Sequence, residues 1–312
     1  MRLTESFGKK GKVMKKIGLS IGALQIKYGD ERALEICAAA GFDSVDVDLS
    51  MRRFDKYADA ADEEIFEYFS ALKKKADSLG LAISQTHGRV TSYTPDEKYC
   101  EFVKKAARFD LLATKILGAP TCVIHNISTI HWPDASAEFM HAKNKEFIDG
   151  ILPFAEELDV NIGMETFGDA KRNGKRVIDF FGDSRELKKQ FDSINTKKKV
   201  ICIDTGHTNK AHNVGVDDGS EVPGVVETIH MFGKDIKVLH LNDNNGFTDQ
   251  HLPPLVKMQG GVDWKGVFEA LDAVGYDGYY NFELALNLFG ESMEDMTHFL
   301  GKHIRRAVEG NM

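Results

Sequence analysis

Carboxylates stand inside short apolar segments at three places in this chain. Glu165 lies in GMETF, Asp204 in ICIDTG and Glu283 in NFELAL. Burying a carboxylate costs several kcal/mol unless its charge is paired or bound to a cation. His240 stands in a fourth such segment, VLHLND. Because three converging carboxylates would repel one another without a cation, these four residues are predicted to bind a divalent metal.

The donor types restrict the choice of metal. Carboxylate oxygens with one histidine nitrogen suit Mn²⁺, Mg²⁺, Co²⁺ or Zn²⁺. No cysteine lies at the end of a predicted strand to force zinc. Four cysteines lie far apart in apolar patterns and are predicted to be reduced core residues, namely Cys37, Cys100, Cys122 and Cys202. We expect one divalent ion per chain, with Mn or Zn favoured.

Eight short apolar or β-branched runs place these residues in a regular repeat. The runs begin at Lys16, Ser44, Leu81, Thr121, Asn161, Val200, Ile236 and Tyr279. Between them, apolar residues recur at i, i+3, i+4 and i+7, which is typical of amphipathic helices. A spacing of about 40 residues is in the range of a strand-helix unit. With no Gly-x-Gly-x-x-Gly turn after a strand, the pattern predicts an α/β fold, a (β/α)8 TIM barrel.

In such a barrel, catalytic groups project from the carboxyl ends of the strands. Six consecutive predicted strands end in residue types that can ligate a metal, which are His87, His125, Glu165, Asp204, His240 and Glu283. A lone buried histidine is more often a hydrogen-bonded scaffold residue than a ligand. His87 and His125 are therefore left out of the predicted metal site.

Length and composition fit one domain. A barrel of eight units needs roughly 250 residues. The chain has 312 residues, of which 42% are hydrophobic, and no low-complexity linker. Residues 16–312 are predicted to form a single TIM-barrel domain after a flexible extension over residues 1–15. This basic extension precedes no long apolar run, so no secretion signal or membrane anchor is expected and the expected location is cytoplasmic.

Together these residues resemble the xylose-isomerase-like barrels, a superfamily of sugar phosphate isomerases and epimerases that includes the ketose 3-epimerases and shares its fold with endonuclease IV. The resemblance covers most of the chain. Its motifs are GMETF, IDTGH, LHLND, NFELA and GGVDW, the last of which ends at Trp264. It implies that Glu165, Asp204, His240 and Glu283 correspond to the four metal ligands of the ketose 3-epimerases.

The resemblance also implies a reaction. A metal-dependent sugar isomerase or epimerase stabilises a cis-enediolate by Lewis-acid action, with Glu165 and Glu283 as the proton-transferring pair. His207, three residues after Asp204, would hydrogen-bond a substrate oxygen as a third catalytic group. A small sugar or sugar derivative is the expected partner, and a homo-oligomer is a family-level expectation.

Further residues are predicted to contact the substrate or to orient a metal ligand. Those expected to contact substrate are His87, His125, His207, Trp132, Asp249 and His251. Trp132, after the fourth strand, would form an apolar wall against a sugar ring, with ordinary packing as the alternative. Asp243, three residues after His240, would orient that histidine or a metal-bound water.

Two other enzyme classes stay open. Asp249 and His251 form an Asp-x-His spacing that resembles endonuclease IV, where nine side chains hold three zinc ions. Counterparts for all nine are present, namely His87, His125, Glu165, Asp204, His207, His240, Asp249, His251 and Glu283. A trinuclear zinc abasic-site endonuclease is therefore one alternative. The other is a lyase or hydratase acting on a 3-keto sugar or glycoside, because the same enolate can expel a β-leaving group.

Charge favours sugar chemistry over nucleic-acid chemistry. The formal net charge of -8 provides no basic footprint for a long polyanion. The loops after the second, third and fourth strands contain few cations, namely Arg52, Arg53 and Arg89. A nucleic-acid partner is therefore not expected, and a barrel that binds sugar without turnover ranks last.

Overall fold

Ten strands organise the fold in this computed structural model, which describes residues 14–90, 92–254 and 258–310. Over these residues the strands are β1 Ile17–Ser20, β2 Ser44–Asp48, β3 Ala82–His87, β4 Thr121–Ile124, β5 Asn161–Glu165, β6 Asp169–Arg172, β7 Lys175–Ile178, β8 Lys199–Asp204, β9 Ile236–His240 and β10 Tyr280–Phe282. Strands β6 and β7 form an antiparallel hairpin. The other eight form one parallel sheet in the order β10-β1-β2-β3-β4-β5-β8-β9.

The two ends of this sheet meet and close it into a barrel. Leu19 of β1 is in register with Phe282 of β10. Beyond β9, the Leu241 amide donates to the Asn281 carbonyl at 2.9 Å, and the Glu283 amide donates to the Leu241 carbonyl at 3.1 Å. The predicted (β/α)8 TIM barrel is therefore confirmed. Residues 1–13 of the predicted extension lie outside the described residues, so its boundary stays a prediction.

Helices follow the barrel strands and cover the outside of the sheet. They are α1 Gly22–Tyr28, α2 Asp30–Ala39, α3 Asp62–Ser78, α4 Glu97–Leu117, α5 Ala137–Leu158, α6 Ser184–Ser193, α7 Thr205–Asp218, α8 Val225–Phe232, α9 Trp264–Ala273 and α10 Met293–Val308. Helix α4 begins where the Asp96 carboxylate accepts from the Lys98 amide at 2.9 Å, and it ends at Gly118, whose φ is 74°. Among the described helices, none is long and apolar enough to cross a bilayer.

The main apolar core lies between the strands and the helices. Leu34 of α2, Phe69 of α3 and Leu117 of α4 belong to one fully buried cluster with Ile17 and Val45 of the sheet. Burial of each large apolar side chain contributes roughly 1.5–3 kcal/mol. The four predicted core cysteines are likewise buried and form no disulfide with one another. This core fixes the strands whose ends carry the polar residues.

A smaller apolar cluster fills part of the barrel interior. It consists of Val123, Cys202 and Val238. Because side chains alternate along a strand, residues two positions further on face the same interior. Those residues are His125, Asp204 and His240. The interior therefore changes from apolar to polar towards the carboxyl ends of the strands, where the candidate site lies.

Candidate metal centre

Four side chains from neighbouring strands converge at the carboxyl end of the barrel. Glu165 ends β5, Asp204 ends β8, His240 ends β9, and Glu283 directly follows β10. One donor atom from each lies within 4.8 Å of the others. Nδ1 of His240 lies 3.0 Å from Oε1 of Glu165 and 3.5 Å from Oε2 of Glu283. The structure therefore brings the four predicted ligands together.

This four-ligand cluster is buried except at one residue. Glu165, Asp204 and His240 are fully buried, whereas the Glu283 side chain remains 22% exposed. Glu283 also lines a cavity of about 730 Å³ at the same end of the barrel, together with His87 and His251. A small molecule can therefore approach the cluster from the side of Glu283.

Asp204 is held in place by the helix that it starts. Its Oδ1 accepts from the His207 amide at 2.6 Å, which caps the first turn of α7. Its Oδ2 accepts from the Asn242 side chain at 2.9 Å. The same turn places Nδ1 of His207 at 3.5 Å from Oε1 of Glu165. The predicted catalytic histidine therefore lies beside the predicted ligands.

Crowding of acids and imidazoles shifts the pKa values of the carboxyl groups in opposite directions. Burial raises the pKa of Asp204, and the charge of Glu165 adds to this although His207 opposes it. Burial would also raise the pKa of Glu165, but the charges of His240 and His125 bring it well below its usual value. The carboxylates are thus ionised together only when positive charge is close by.

Several buried atoms at this site have no hydrogen-bond partner among the described residues. They are Oε2 of Glu165 and both ring nitrogens of His125. Nε2 of His125 lies 3.0 Å from Oε2 of Glu165, but the geometry is not that of a hydrogen bond. Leaving a buried polar atom unpaired costs about 1–3 kcal/mol. A shared cation would remove that cost, so these residues fit a divalent metal.

Besides a group of His87, His240 and Glu283, which overlaps the four-ligand cluster, two further groups of potential ligands flank it. One consists of His87, His125 and Glu165, and the other of His207, Asp249 and His251. In each group, one donor atom per residue lies within 4.8 Å of the others. All nine residues predicted for the trinuclear alternative therefore lie in three adjoining groups.

Asp249 is surrounded by positively charged partners. Its Oδ2 pairs with Nε2 of His251 at 3.2 Å, and its Oδ1 accepts from Lys210 at 3.2 Å. Burial would raise the pKa of Asp249, but hydrogen bonds with His207 and His251 hold it well below its usual range. Burial lowers the pKa of His251, but the hydrogen bond with Asp249 raises it, with a net value of about 9. Its other ring nitrogen, Nδ1, lies 3.2 Å from the Glu283 carbonyl oxygen.

Trp132 and Asp243 have other surroundings. Trp132 packs against the main core and lines an outer depression with Phe139, separate from the residues around the cavity at Glu283. Asp243 holds the loop after β9, since its Oδ2 accepts from Nε1 of Trp264 at 2.7 Å and its Oδ1 from the Val262 amide at 2.9 Å. The substrate contact of Trp132 and the support by Asp243 stay predictions.

Asp46 of β2 was not predicted, although it touches a predicted ligand. Its Oδ2 lies 3.0 Å from Nε2 of His240 and accepts from Ser20 at 2.9 Å and from Gln85 at 3.1 Å. In SVDVD, Asp46 alternates with the buried Val45, which places the carboxylate on the interior face. That alternation could have identified it.

The β6-β7 hairpin, between β5 and β8, was also not predicted. It turns at Asn173 and Gly174, whose φ values of 50° and 76° are those that a two-residue Asn-Gly turn adopts. The Asn-Gly pair in AKRNGKRV was the available indication. Nζ of Lys210 lies 3.0 Å from Oδ1 of Asp169 and 3.2 Å from Oδ1 of Asp249. The hairpin is therefore joined to the site by one buried lysine.

Known proteins share this architecture. A family model described as a xylose isomerase-like TIM barrel matches residues 34–297. The chain is 30% identical over 154 residues to an uncharacterized protein of Methanocaldococcus jannaschii, which covers 49% of this chain and 46% of that protein. The chain spans about half the length of the curated relatives it matches.

Solved structures show the same fold at low sequence identity. A D-tagatose 3-epimerase-like protein has a TM-score of 0.70 and 18% identity, covering 95% of this chain and 98% of that chain. The IOLI protein with a binding zinc atom has a TM-score of 0.70 and 16% identity, covering 95% and 99%. Because the family model matches most of its length, this chain belongs to the xylose isomerase-like TIM-barrel family.

Proposed function

We propose that this protein is a divalent-metal-dependent sugar isomerase or epimerase. The observation that carries the proposal is the convergence of Glu165, Asp204, His240 and Glu283, whose donor atoms lie within 4.8 Å of one another. Three carboxylates with one imidazole suit manganese or zinc. When bound, such an ion would supply Lewis-acid activation of a sugar's carbonyl and neighbouring hydroxyl oxygens, which favours a cis-enediolate.

Glu165 and Glu283 are the proton-transferring pair in this proposal. Glu283 borders the cavity and keeps exposed surface, so its carboxylate reaches a bound sugar directly. Glu165 is buried, and although burial raises its pKa, His240 and His125 lower it further. That carboxylate therefore stays ionised, as a base must be before it accepts a proton. Glu165 ends β5 and Glu283 follows β10, with two strands between them, so they would approach a sugar from different sides.

Imidazoles around the four ligands supply hydrogen bonds to sugar oxygens. His87 and His251 line the cavity beside Glu283. The pKa of His251 is about 9, because the hydrogen bond that it donates to Asp249 outweighs the lowering effect of burial. Positive charge on His251, beside the cavity, would stabilise a substrate oxygen that gains negative charge during the reaction.

Metal analysis followed by solvent exchange tests the proposal. Protein purified without chelator is analysed for metal and then incubated in deuterium oxide with a panel of ketoses and aldoses. We expect close to one ion of Mn, Zn, Co or Mg per chain, and deuterium incorporation into carbon of at least one sugar. Protein stripped of metal is the control and should regain incorporation when metal is restored. Full occupancy without incorporation into any sugar would contradict the proposal.

A trinuclear zinc phosphodiesterase acting on abasic DNA is the second candidate. The two flanking groups, centred on His125 and on Asp249, favour it. This candidate requires about three zinc ions per chain and nicking of an abasic duplex when zinc is supplied. His125→Ala and Asp249→Ala should then each lower the zinc content, whereas an isomerase with one ion should keep its single metal in both variants.

A further inference from the structure

The cavity at Glu283 has two chemically different parts. Its inner surface carries buried polar groups, among them Asp46 and His87, beside the four-ligand cluster. Its outer surface carries apolar side chains, of which Ile26 is 76% exposed and Val90 is 50% exposed. A volume of about 730 Å³ lies in the range of about 300–1,000 Å³ that holds drug-sized ligands. One sugar ring would occupy the polar part and leave the outer part to another group.

Exposed apolar side chains are concentrated at this end of the barrel. Five large ones in the described part of the chain lie on segments that directly follow β1, β3, β4, β9 and β10. They are Ile26, Val90, Ile130, Phe247 and Leu288. Apolar surface gathered around a polar site marks a binding surface more often than chance exposure does. Ile26 and Val90 are the two that line the cavity.

The apolar side chains that line the cavity extend from its outer part to Glu283 of the four-ligand cluster. Ala23 and Ile26 lie one helical turn apart on α1 and face the same way. Leu284 and Ala285 follow Glu283 directly and line the same cavity. A molecule bound near Glu283 would therefore extend along apolar side chains on its way out to solvent.

The cations near this wall already have acidic partners. Lys27 lies 3.4 Å from Glu291 and donates to the Gly290 carbonyl at 2.6 Å. Arg89, next to Val90, donates to Asp55 at 2.5 Å. Asp46, Asp48 and Glu291 also line this cavity, so carboxylates outnumber lysine among its described lining residues, and the outer part favours a neutral apolar group over a phosphate.

We propose that this cavity binds a sugar that carries an apolar substituent, such as an aryl or alkyl glycoside. The sugar lies at the four-ligand cluster, and the substituent packs against Ile26, Val90 and Leu284. This inference rests on the proposed sugar chemistry and narrows its substrate class. It also accounts for the side chains that a free monosaccharide would leave uncovered.

Calorimetric titration of the metal-loaded protein tests this inference. Methyl and phenyl β-D-glucopyranoside are the probes, with the matching galactoside and xyloside pairs alongside. We expect the phenyl member of at least one pair to bind at least about tenfold more tightly than the methyl member, or about 1.4 kcal/mol. The double variant Ile26→Ser, Val90→Ser should lose that gain. Both side chains are largely exposed, so the variant should fold.

Phe66→Ser is the matched control, because Phe66 is also exposed but lies on α3 away from the cavity. That variant should keep the phenyl gain. Equal binding of methyl and phenyl probes in every pair, absence of binding, or a gain that survives the double variant would overturn the inference. The inference would also be overturned if the wild type is a dimer, the double variant is a monomer, and the tighter binding of the phenyl glycoside is unchanged. In that case a second copy of the chain covers the apolar side chains of the cavity.

The outcome can be separated from the fate of the proposed function. If free sugars take up deuterium but the phenyl glycosides bind no more tightly than the methyl glycosides, the isomerase proposal stands and the inference of an apolar substituent fails. If the phenyl glycosides bind more tightly in a way that depends on Ile26 and Val90, but no free or substituted sugar exchanges hydrogen with solvent, the proposed binding mode stands and the isomerase proposal fails.

Discussion

Nε2 of His240 lies 3.0 Å from Oδ2 of Asp46, while Nδ1 of the same ring lies 3.0 Å from Oε1 of Glu165. Both ring nitrogens therefore have a carboxylate within reach. With the proton on Nε2 donated to Asp46, Nδ1 offers its lone pair to the four-ligand cluster. A carboxylate behind a ligand histidine fixes the ring and raises its basicity.

Replacing Asp46 should weaken metal binding although Asp46 is not a proposed ligand. We expect Asp46→Ala to lower the affinity for Mn²⁺ or Zn²⁺ by roughly 10–100-fold, because Nε2 of His240 loses its acceptor. Competition with a fluorescent chelator would measure this. Asp46→Asn keeps an acceptor oxygen and should lose less. Equal affinities for the wild type and the alanine variant would show that Asp46 does not support the ligand.

The two proposed proton-transfer residues should be needed for exchange more than for binding. Glu165→Gln and Glu283→Gln should each slow deuterium incorporation by roughly 10²–10⁴-fold, the usual contribution of a general acid or base. Rates are compared at equal metal content, measured on each sample. Glu67→Gln, on the exposed face of α3, is the control and should exchange as the wild type does. Near-normal rates in either active-site variant would remove that residue from the pair.

The sequence predicted which four residues converge at the candidate site, because their positions follow from strand order. Glu165, Asp204, His240 and Glu283 each end or follow a run that reads as a buried parallel strand, and the carboxyl ends of such strands meet at one end of a barrel. Local patterning is therefore enough to bring residues that are far apart in the chain to one point. The confirmed barrel fold explains why this inference from local patterns was possible.

Residues that act through side-chain partners were harder to predict. Asp46 matters because its strand lies across the barrel from β9, and no local pattern pairs it with His240. Trp132 was expected to contact a sugar; its ring lies 5.9 Å from that of Phe139, and the sugar contact stays a prediction. The choice between such placements depends on tertiary packing, which a single sequence does not specify.

Metal should stabilise the fold as well as support the reaction. Without a cation, the carboxylates of Asp204, Glu165 and Glu283 repel one another in a buried space. Chelation should therefore lower the melting temperature, and metal at a hundredfold excess over its Kd should restore about 2.7 kcal/mol. Differential scanning fluorimetry would measure both steps. Glu283→Gln, which removes one ligand charge, should show a smaller restoration at the same metal concentration. An unchanged melting temperature would contradict a buried metal site.

The buried Asp110 of α4 should make stability depend on pH. Asp110 is 1% exposed, and its Oδ1 has no hydrogen-bond partner among the described residues. Its Oδ2 accepts from the Arg89 amide at 3.1 Å. Burial raises the pKa of Asp110 to about 7, although Arg89 opposes the shift.

Between the usual aspartate pKa of about 3.9 and pH 7, the folded protein holds a proton on Asp110 that the unfolded chain releases. The folded state therefore binds more protons in this range, and the free energy of unfolding falls as pH rises, by about 1.4 kcal/mol per pH unit from this group. The side chain introduced by Asp110→Asn cannot ionise, so the free energy of unfolding of this variant should not decrease with pH through this group. The stability of the variant relative to the wild type should therefore increase from pH 4 to 7 and then level off. Urea unfolding across this range would measure the difference. Asp277→Asn, at an exposed position, should show a constant difference. A constant difference for Asp110→Asn as well would mean that Asp110 ionises equally easily in the folded and unfolded chain, and that its burial is compensated by Arg89.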